Sequence, residues 1–427
     1  MKKKLIIHYN RIREQLWFRP FLFCLFSVIG ALLAHLADGM GISDLVPNIE
    51  KDSIRSLLDT ISASMLVISI FAVASMLSAF SSASSTATPR SFKIVVTDDV
   101  SQNALSIFIG AFIFSIVATI ALDNGYYDKA GKFILFLLTL LLFAVVILTF
   151  LRWVDRISRL GRLEHTINQL EKVASKSLST YIKNPNLKAN PINGICYEGE
   201  AVFANSIGYV QHINLETLQI LAEEKELRIR LNRLPGKFVH NNFIIAYYSS
   251  KENLDNNEIQ GKINNAIHVG QTRLFDEDPR FGLISLTEIA SRALSPGIND
   301  PGTAIQIIGC HERLFFLWHE AYENNNENTV NYNRIEVPKI TMEDFFDDAF
   351  RPIARDGADN IEVMLRLQKA FISIETINNP SIKENVFRNS KDAYNRAETA
   401  IKFKKDLEIL EKQYIFNIDK YKTDAQL

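Results

Sequence analysis

Four long apolar runs occupy the first third of the chain, and only short apolar stretches follow them. The runs cover residues 20–37, 56–80, 105–122 and 133–151. Each has about the ~17 to 25 residues that an α-helix needs to cross the hydrocarbon core of a bilayer. No ionisable side chain lies near the middle of a run, as expected of a membrane-crossing helix. The pattern predicts four transmembrane helices followed by a soluble region.

Hydroxyl side chains distinguish the second run from the others. It carries Ser62, Ser69, Ser75 and Ser78 among alanines before Pro89 stops the helix. Several copies of such a helix could surround an aqueous path, so these four serines are candidate pore-lining residues. Helix packing is the alternative, because serine can bond the carbonyl four residues earlier and small residues let helices approach closely.

The third and fourth runs predict different environments. Ser106 and Gly110 lie four residues apart in the third run, a spacing that allows another backbone to approach. The fourth run is almost entirely Leu, Phe, Ile and Val, which favours contact with lipid. We therefore predict a packing helix and a lipid-facing helix, respectively.

The predicted fold class is a multi-pass α-helical membrane protein. It combines a four-helix transmembrane bundle in residues 1–155 with an α+β region that is cytoplasmic. An amphipathic helix is predicted over residues 152–176, leaving the fourth run, and residues 156–194 are assigned to a linker helix and loop. Short apolar runs between turns predict a small β domain in residues 195–250, and helical periodicity predicts a helical domain in residues 262–427. A helix from about 389 to 414 closes that domain.

Three helix starts in the soluble region have clear capping signals. Asn214 precedes the short helix LETLQILAEE, and the pairs Asp278-Pro279 and Asp300-Pro301 each combine an N-cap with proline at the first helical position. Free N–H groups at helix starts also attract anions. The residues of a candidate anion site are Arg280, Arg292, Gly302 and Thr303.

Charge placement gives the predicted orientation. The overall net charge is only -1, but basic residues flank the first run and the end of the fourth. They are Lys2, Lys3, Lys4, Arg11, Arg13, Arg19, Arg152, Arg156, Arg159 and Arg162. Lys and Arg are retained on the cytoplasmic side of membrane proteins, which predicts that both termini are cytoplasmic. The soluble region lacks the basic runs of a nucleic-acid-binding protein.

No catalytic, cofactor-binding or metal-ligating residue is predicted. The chain contains no Walker loop, G-x-G-x-x-G, G-x-S-x-G or H-E-x-x-H motif. His311 and His319 share a helical face but are too far apart for one metal ion, so we predict surface or packing roles. Cys24, Cys196 and Cys310 show no disulfide or zinc spacing.

Several segments in a fixed order resemble a known family. They are SMLSAFSSASSTATPRSFKIVVTDDVSQNALSIFIGAF, GYVQHI, LPGKFV, VGQTRLFDEDPRFGLISLTEIASRALSPGINDPGTAIQ and FFDDAFRPIARDG. This series is similar to the bacterial predicted membrane proteins of the domain of unknown function 2254 family (DUF2254), over most of residues 17–375. The resemblance implies a bacterial inner-membrane protein and implies no activity, catalytic residue or cofactor.

Two classes of function remain open at the level of sequence. The first is a homo-oligomeric conduit for ions or small solutes, with the second run around the path and the cytoplasmic region as a gate or filter. The second is a membrane-tethered sensing or protein-interaction module without transport activity. Besides the lipid bilayer and further copies of the chain, the sequence indicates no particular partner.

Overall fold

The chain forms two compact units, Met1–Thr166 and Ile167–Leu427, in the computed structural model. The structure describes residues 17–40, 43–86, 88–90, 99–192, 194, 199–250, 255–323 and 330–414. The basic residues before Trp17, and Cys196, lie outside the described residues.

Among the described residues of the first unit, four helices are long. They are α1 (Phe18–Leu33), continued by a 3-10 helix (Ala34–Met40), α2 (Lys51–Thr86), α3 (Asp99–Asp123) and α4 (Lys129–Arg159). Regions long and apolar enough to cross a membrane are Phe18–Gly39, Lys51–Ala83, Val100–Asp123 and Lys129–Arg159. The four apolar runs are therefore helices, and α2 continues through its serine-rich end.

Helix α3 packs against the other three helices of this unit. At Gly110 a Cβ atom would lie 3.1 Å from Ser27 Oγ and 3.4 Å from the Phe23 carbonyl oxygen. Ser106 is fully buried and donates to the Gln102 carbonyl at 2.7 Å. The predicted packing role of these small residues is confirmed.

A carboxylate from the 3-10 helix caps the start of α4. Asp38 accepts hydrogen bonds from the backbone N–H groups of Gly131 (2.7 Å) and Asp128 (3.0 Å). The adjacent Tyr127 donates from its hydroxyl to the Ala31 carbonyl at 2.7 Å. Exposed N–H groups at a helix start need acceptors, and here a distant residue supplies them.

The helix predicted over residues 152–176 is interrupted, because α4 ends at Arg159. Leu160 has an extended backbone with ψ 134, and Gly161 takes the left-handed φ of +88. A new helix, α5 (Leu163–Lys183), then begins. The prediction of one continuous helix was wrong, because glycine tolerates the left-handed conformation that stops a helix.

The described part of the second unit combines eight short strands with helices. Its further elements are β1 (Ala189–Pro191), β2 (Glu200–Phe203), β3 (Gly208–Ile213), α6 (Leu215–Glu224), β4 (Arg228–Leu231), β5 (Phe238–Val239), β6 (Ile244–Ser249), α7 (Asn256–Ala266), β7 (Ile267–Gly270), α8 (Pro279–Ala293), α9 (Pro301–Glu323), β8 (Tyr332–Val337), α10 (Met342–Ala349), α11 (Arg351–Asp356), α12 (Ile361–Glu375), α13 (Pro380–Ala400) and α14 (Lys404–Gln413).

Two sheets share one apolar core with α6 and α7. The larger sheet has the strand order β1-β8-β4-β6-β2, and the smaller has the order β5-β3-β7. Strand β8 pairs in parallel with β1 and β4, whereas β6 is antiparallel to both β4 and β2. The β region therefore extends beyond the predicted 195–250, because β1, β7 and β8 lie outside that range.

The remaining helices α8 to α14 form the predicted helical region. Helix α8 meets α5 at Gly282, where a Cβ would lie 2.4 Å from the Cβ of Ala174. The single helix predicted over about 389–414 is instead two helices. Ile401, between them, has an extended backbone and a buried side chain.

Candidate functional site

The predicted pore-lining serines divide between two faces of α2. Ser69 is buried in the helical bundle with 8% exposure, and Ser62 is half-buried one heptad earlier. Ser75 is also half-buried, but Ser78 is exposed. Residues seven apart share a helix face, so the four serines do not line one surface.

Ser75 and Ser78 instead border a groove between α2 and the end of α4. Its volume is about 450 Å³. The lining residues are Ala74, Ser75, Ser78, Ala79, Ser82, Ile157 and Leu160. Small and hydroxyl side chains come from α2, whereas larger apolar ones come from α4. The groove thus combines hydrogen-bonding groups with an apolar wall.

Close backbone contact at Gly161 forms the end of this groove. A Cβ there would lie 3.0 Å from the Ala79 carbonyl oxygen. The hydroxyl of Ser82 donates to the Gly161 carbonyl at 3.3 Å. Only a residue without a side chain fits this approach at a positive φ, so Gly161 fixes the spacing of the two helices where the groove lies.

In the second unit, Arg280 at the start of α8 is held by two carboxylates of α10. Its Nε donates to Asp348 at 2.6 Å and its Nη1 to Asp344 at 2.5 Å. The Arg280 side chain is only 17% exposed. Burial raises the pKa of the Asp348 carboxyl, whereas for Asp344 burial is outweighed by hydrogen bonds from Thr341 and the charge of Arg280, which lower its pKa.

A second ion pair lies beside the first. Asp278 caps α8 by accepting from the Arg280 N–H at 3.2 Å, and Arg273 donates to its Oδ2 at 2.7 Å. The Asp278 side chain is 2% exposed, and this burial raises its pKa against the opposing charge of Arg273. Gly236, which has φ +88, lies directly against this carboxylate. A Cβ atom at this position would be only 2.1 Å from Oδ2.

The predicted anion-site residues do not form one cradle. Arg280 is engaged by aspartates as described, and Thr303 donates from its N–H and its hydroxyl to Asp300 at 3.1 and 2.6 Å. Gly302 lies beside the same carboxylate, and Arg292 is half-buried in the last turn of α8. The capping predictions for Asp278 and Asp300, and for Asn214 with Thr217 N–H, are confirmed.

Segments that carry the family resemblance converge around these ion pairs. The Gly236 N–H donates to the Val210 carbonyl at 2.8 Å, joining LPGKFV to GYVQHI. The side chains of His212 and Glu277 are hydrogen-bonded, joining GYVQHI to RLFDEDPRF. Arg280 and Asp348 then join that segment to FFDDAFRP. These contacts connect the small sheet to the helices.

His311 is buried in the helical region rather than at its surface. Its Nε2 lies 2.9 Å from the Thr287 hydroxyl, which donates to the Ala349 carbonyl at 3.1 Å. Because a hydroxyl has one proton, His311 Nε2 must be the donor, and Nδ1 is then an unprotonated nitrogen. Nδ1 is buried with no hydrogen-bond partner among the described residues. Burial lowers the pKa of His311 to about 3.

We expect this histidine to make the protein less stable in acid. The unfolded chain binds a proton near pH 6.5 and the folded chain does not, so the free energy of unfolding falls below that pH. The contribution is about 2 kcal/mol between pH 7.5 and pH 5. Between pH 7.5 and pH 5, the melting temperature of the detergent-solubilised protein should fall more steeply than that of the His311→Gln variant. Equal pH slopes in the two proteins would contradict this assignment.

Sequence reasoning missed two features of these sites. It did not assign Ile157 and Leu160 to a groove, although both are apolar residues in an otherwise arginine-rich turn. It did not pair Arg280 with its aspartates, which lie more than sixty positions away. The acidic residues of the FFDD segment were the available sequence signal, but they do not indicate which arginine they pair with. Among the described residues, no group of three or more His, Cys, Asp or Glu is placed to hold a metal ion.

Comparison with known proteins agrees with the helices and segments described. The first unit has four helices that are long and apolar enough to cross a membrane, and the second unit combines helices and strands. The family model described as "Predicted membrane protein (DUF2254)" matches residues 13–373. The chain therefore belongs to this family of predicted membrane proteins.

Three curated relatives are mycobacterial. Uncharacterized protein Mb1321c of Mycobacterium bovis and uncharacterized protein Rv1290c of Mycobacterium tuberculosis are each 29% identical over 104 residues, which are 24% of this chain and 20% of theirs. Uncharacterized protein MT1328 of Mycobacterium tuberculosis is 52% identical over 42 residues, 10% of this chain and 8% of its own. The chain thus spans a fifth or less of each relative's length. No solved structure matches the chain.

Proposed function

We propose that several copies of this protein surround an aqueous path for ions or small solutes, with α2 lining the path. In this proposal α1 to α4 cross the inner membrane of a bacterium, and both termini lie in the cytoplasm. The second unit is then cytoplasmic and acts as a gate or filter. The basic residues beside the first and fourth helices support this orientation.

The exposed face of α2 is the observation that carries the proposal. It bears hydroxyl groups at Ser64 and Ser81, within the region long and apolar enough to cross a membrane. By contrast, every exposed residue of α1 over 21–33 and of α4 over 133–148 is apolar. A lipid-facing surface has no need of hydroxyls, whereas a surface that faces water has.

Between the hydroxyl groups, the exposed face of α2 is apolar. Val67 is 67% exposed and Ile70 is 65% exposed. When copies of α2 surround a path, such side chains form a narrow apolar section that water leaves readily, which is one way in which channels close. The same arrangement places hydroxyls on both sides of the constriction.

The test combines the mass of the complex with a flux measurement. We expect native mass spectrometry from nanodiscs to show three or more copies, because four helices in one copy are too few to enclose an aqueous path. In vesicles, Val67→Ser should raise ion leakage at least about tenfold by hydrating the constriction. The matched control is Leu141→Ser on α4, where a side chain of 61% exposure faces outward. A monomer, or equal leakage in both variants, would overturn the proposal.

A membrane-tethered interaction module is the second candidate. A partly exposed aromatic pair in the second unit favours it. Trp318 stacks on Tyr322, which is 53% exposed. This candidate is favoured over the conduit if the protein is monomeric and does not pass ions, and if Trp318→Ala abolishes its effect in cells.

A further inference from the structure

We infer that the groove between α2 and α4 binds an anionic phospholipid. The groove lies at the ends of the two apolar regions, since its residues run from Ala74 to Ser82 on α2 and from Ile157 in the last turn of α4 to Leu160 directly after it. These are the positions where a hydrocarbon core gives way to headgroups.

The charge beside the groove selects the headgroup. Residues 152–162 contain four arginines and one aspartate, so the local net charge is 4 − 1 = +3. Arg156 precedes Leu160 by four positions and therefore lies on the same helix face one turn earlier. Arg159, whose side chain is 61% exposed, also pairs with Asp155 at 2.9 Å. Clusters of basic residues beside membrane helices attract anionic lipids, at about 1 kcal/mol per residue.

The lining of the groove complements the remainder of a phospholipid. The hydroxyls of Ser75 and Ser78 provide donors for phosphate and glycerol oxygens. Ile157, Leu160 and Ala79 provide the apolar wall for the first part of an acyl chain. The arginines then hold the phosphate at the rim, and the chains extend along the exposed apolar surface of α4. A zwitterionic lipid has the same chains but no net negative charge for the arginines.

A lipid-binding measurement tests this inference on the full-length protein. The purified protein in detergent is titrated with phosphatidylglycerol or with phosphatidylcholine of the same acyl chains, and bound lipids are counted by native mass spectrometry. We expect phosphatidylglycerol to bind at least about tenfold more tightly than phosphatidylcholine, in line with two or more effective arginines. Equal binding of the two lipids would overturn the inference.

Two variant pairs locate the site. Arg156→Gln with Arg159→Gln should weaken phosphatidylglycerol binding about tenfold, whereas Lys129→Gln with Lys132→Gln, at the other end of α4, should not. Ser75→Phe should also weaken binding by filling the groove, unlike Val73→Phe on the outward side of the same helix. If a variant and its control weaken phosphatidylglycerol binding equally, the lipid does not bind in this groove.

The oligomeric state separates this inference from the proposed function. Bound lipid is counted per protein copy, whatever the oligomeric state. A monomer that still binds phosphatidylglycerol at the groove therefore supports the lipid site and contradicts the conduit. If instead Ser75→Phe converts an oligomer to a monomer and leaves lipid binding unchanged, a second copy fills the groove and the lipid site is wrong. Because the two arginine substitutions leave the lining of the groove unchanged, that variant remains informative if Ser75→Phe does not fold.

Discussion

Replacing Arg280 with leucine should lower the free energy of unfolding by about 3 to 5 kcal/mol, the cost of leaving a buried charge without its partner. Arg280 is the shared cation of Asp344 and Asp348, which are 31% and 12% exposed. Without it, two neighbouring carboxylates repel each other in a poorly solvated site. Denaturant unfolding of the solubilised protein, followed by tryptophan fluorescence and circular dichroism, measures the loss.

Two further variants test the reason for that loss. Arg351→Leu removes an arginine that pairs with Asp347 on the surface, where the Arg351 side chain is 62% exposed. It should cost less than about 1 kcal/mol. Adding Asp348→Asn to Arg280→Leu should recover part of the stability by removing one of the uncompensated charges. A small effect of Arg280→Leu, or no recovery in the double variant, would show that the cluster is not held by charge.

Replacing Gly282 with leucine should destabilise the second unit by about 3 kcal/mol, at the upper end of the usual cost of overpacking. A Cβ at this position would lie 2.8 Å from the Cα of Ala174 as well as 2.4 Å from its Cβ. Backbone cannot rotate away as a long side chain can, so α5 and α8 must separate. The loss of their apolar contact follows.

Gly261 on α7 provides the matched control. A Cβ there would meet nothing within 4 Å, and the residue is exposed in the interior of a helix. Gly261→Leu should therefore stabilise the protein by up to about 1 kcal/mol through helix propensity. Changes of the same sign at the two glycines would contradict the close packing of α5 and α8.

Local signals explain which parts of the fold could be predicted from sequence. Long apolar runs gave the helices of the first unit, because hydrophobicity and length suffice to define such helices. The caps at Asn214, Asp278 and Asp300 were predicted because an N-cap and its helix are adjacent in sequence. At Gly161 the break in the helix was missed, since an isolated glycine in a helical pattern is often tolerated.

Contacts between distant segments explain what could not be predicted. The acceptor at the start of α4 comes from Asp38, about ninety positions earlier, and no periodic pattern records such a contact. The same holds for Arg280 and its aspartates. Helical period separates Ser62 and Ser69 from Ser75 and Ser78, but it cannot say which pair faces the bundle. That assignment depends on the packing of α3, which sequence alone does not give.

The place of β8 in the large sheet has a consequence for synthesis of the chain. Strand β8 lies between β1 and β4, although it follows them by about a hundred residues or more. Until Tyr332–Val337 leaves the ribosome, β1 has no neighbour in the sheet and β4 presents an open edge. Such edges pair readily with other chains, and non-local pairings form slowly. The nascent second unit is therefore most prone to aggregation while α8 and α9 are being made, and a cellular chaperone would be needed most in that interval.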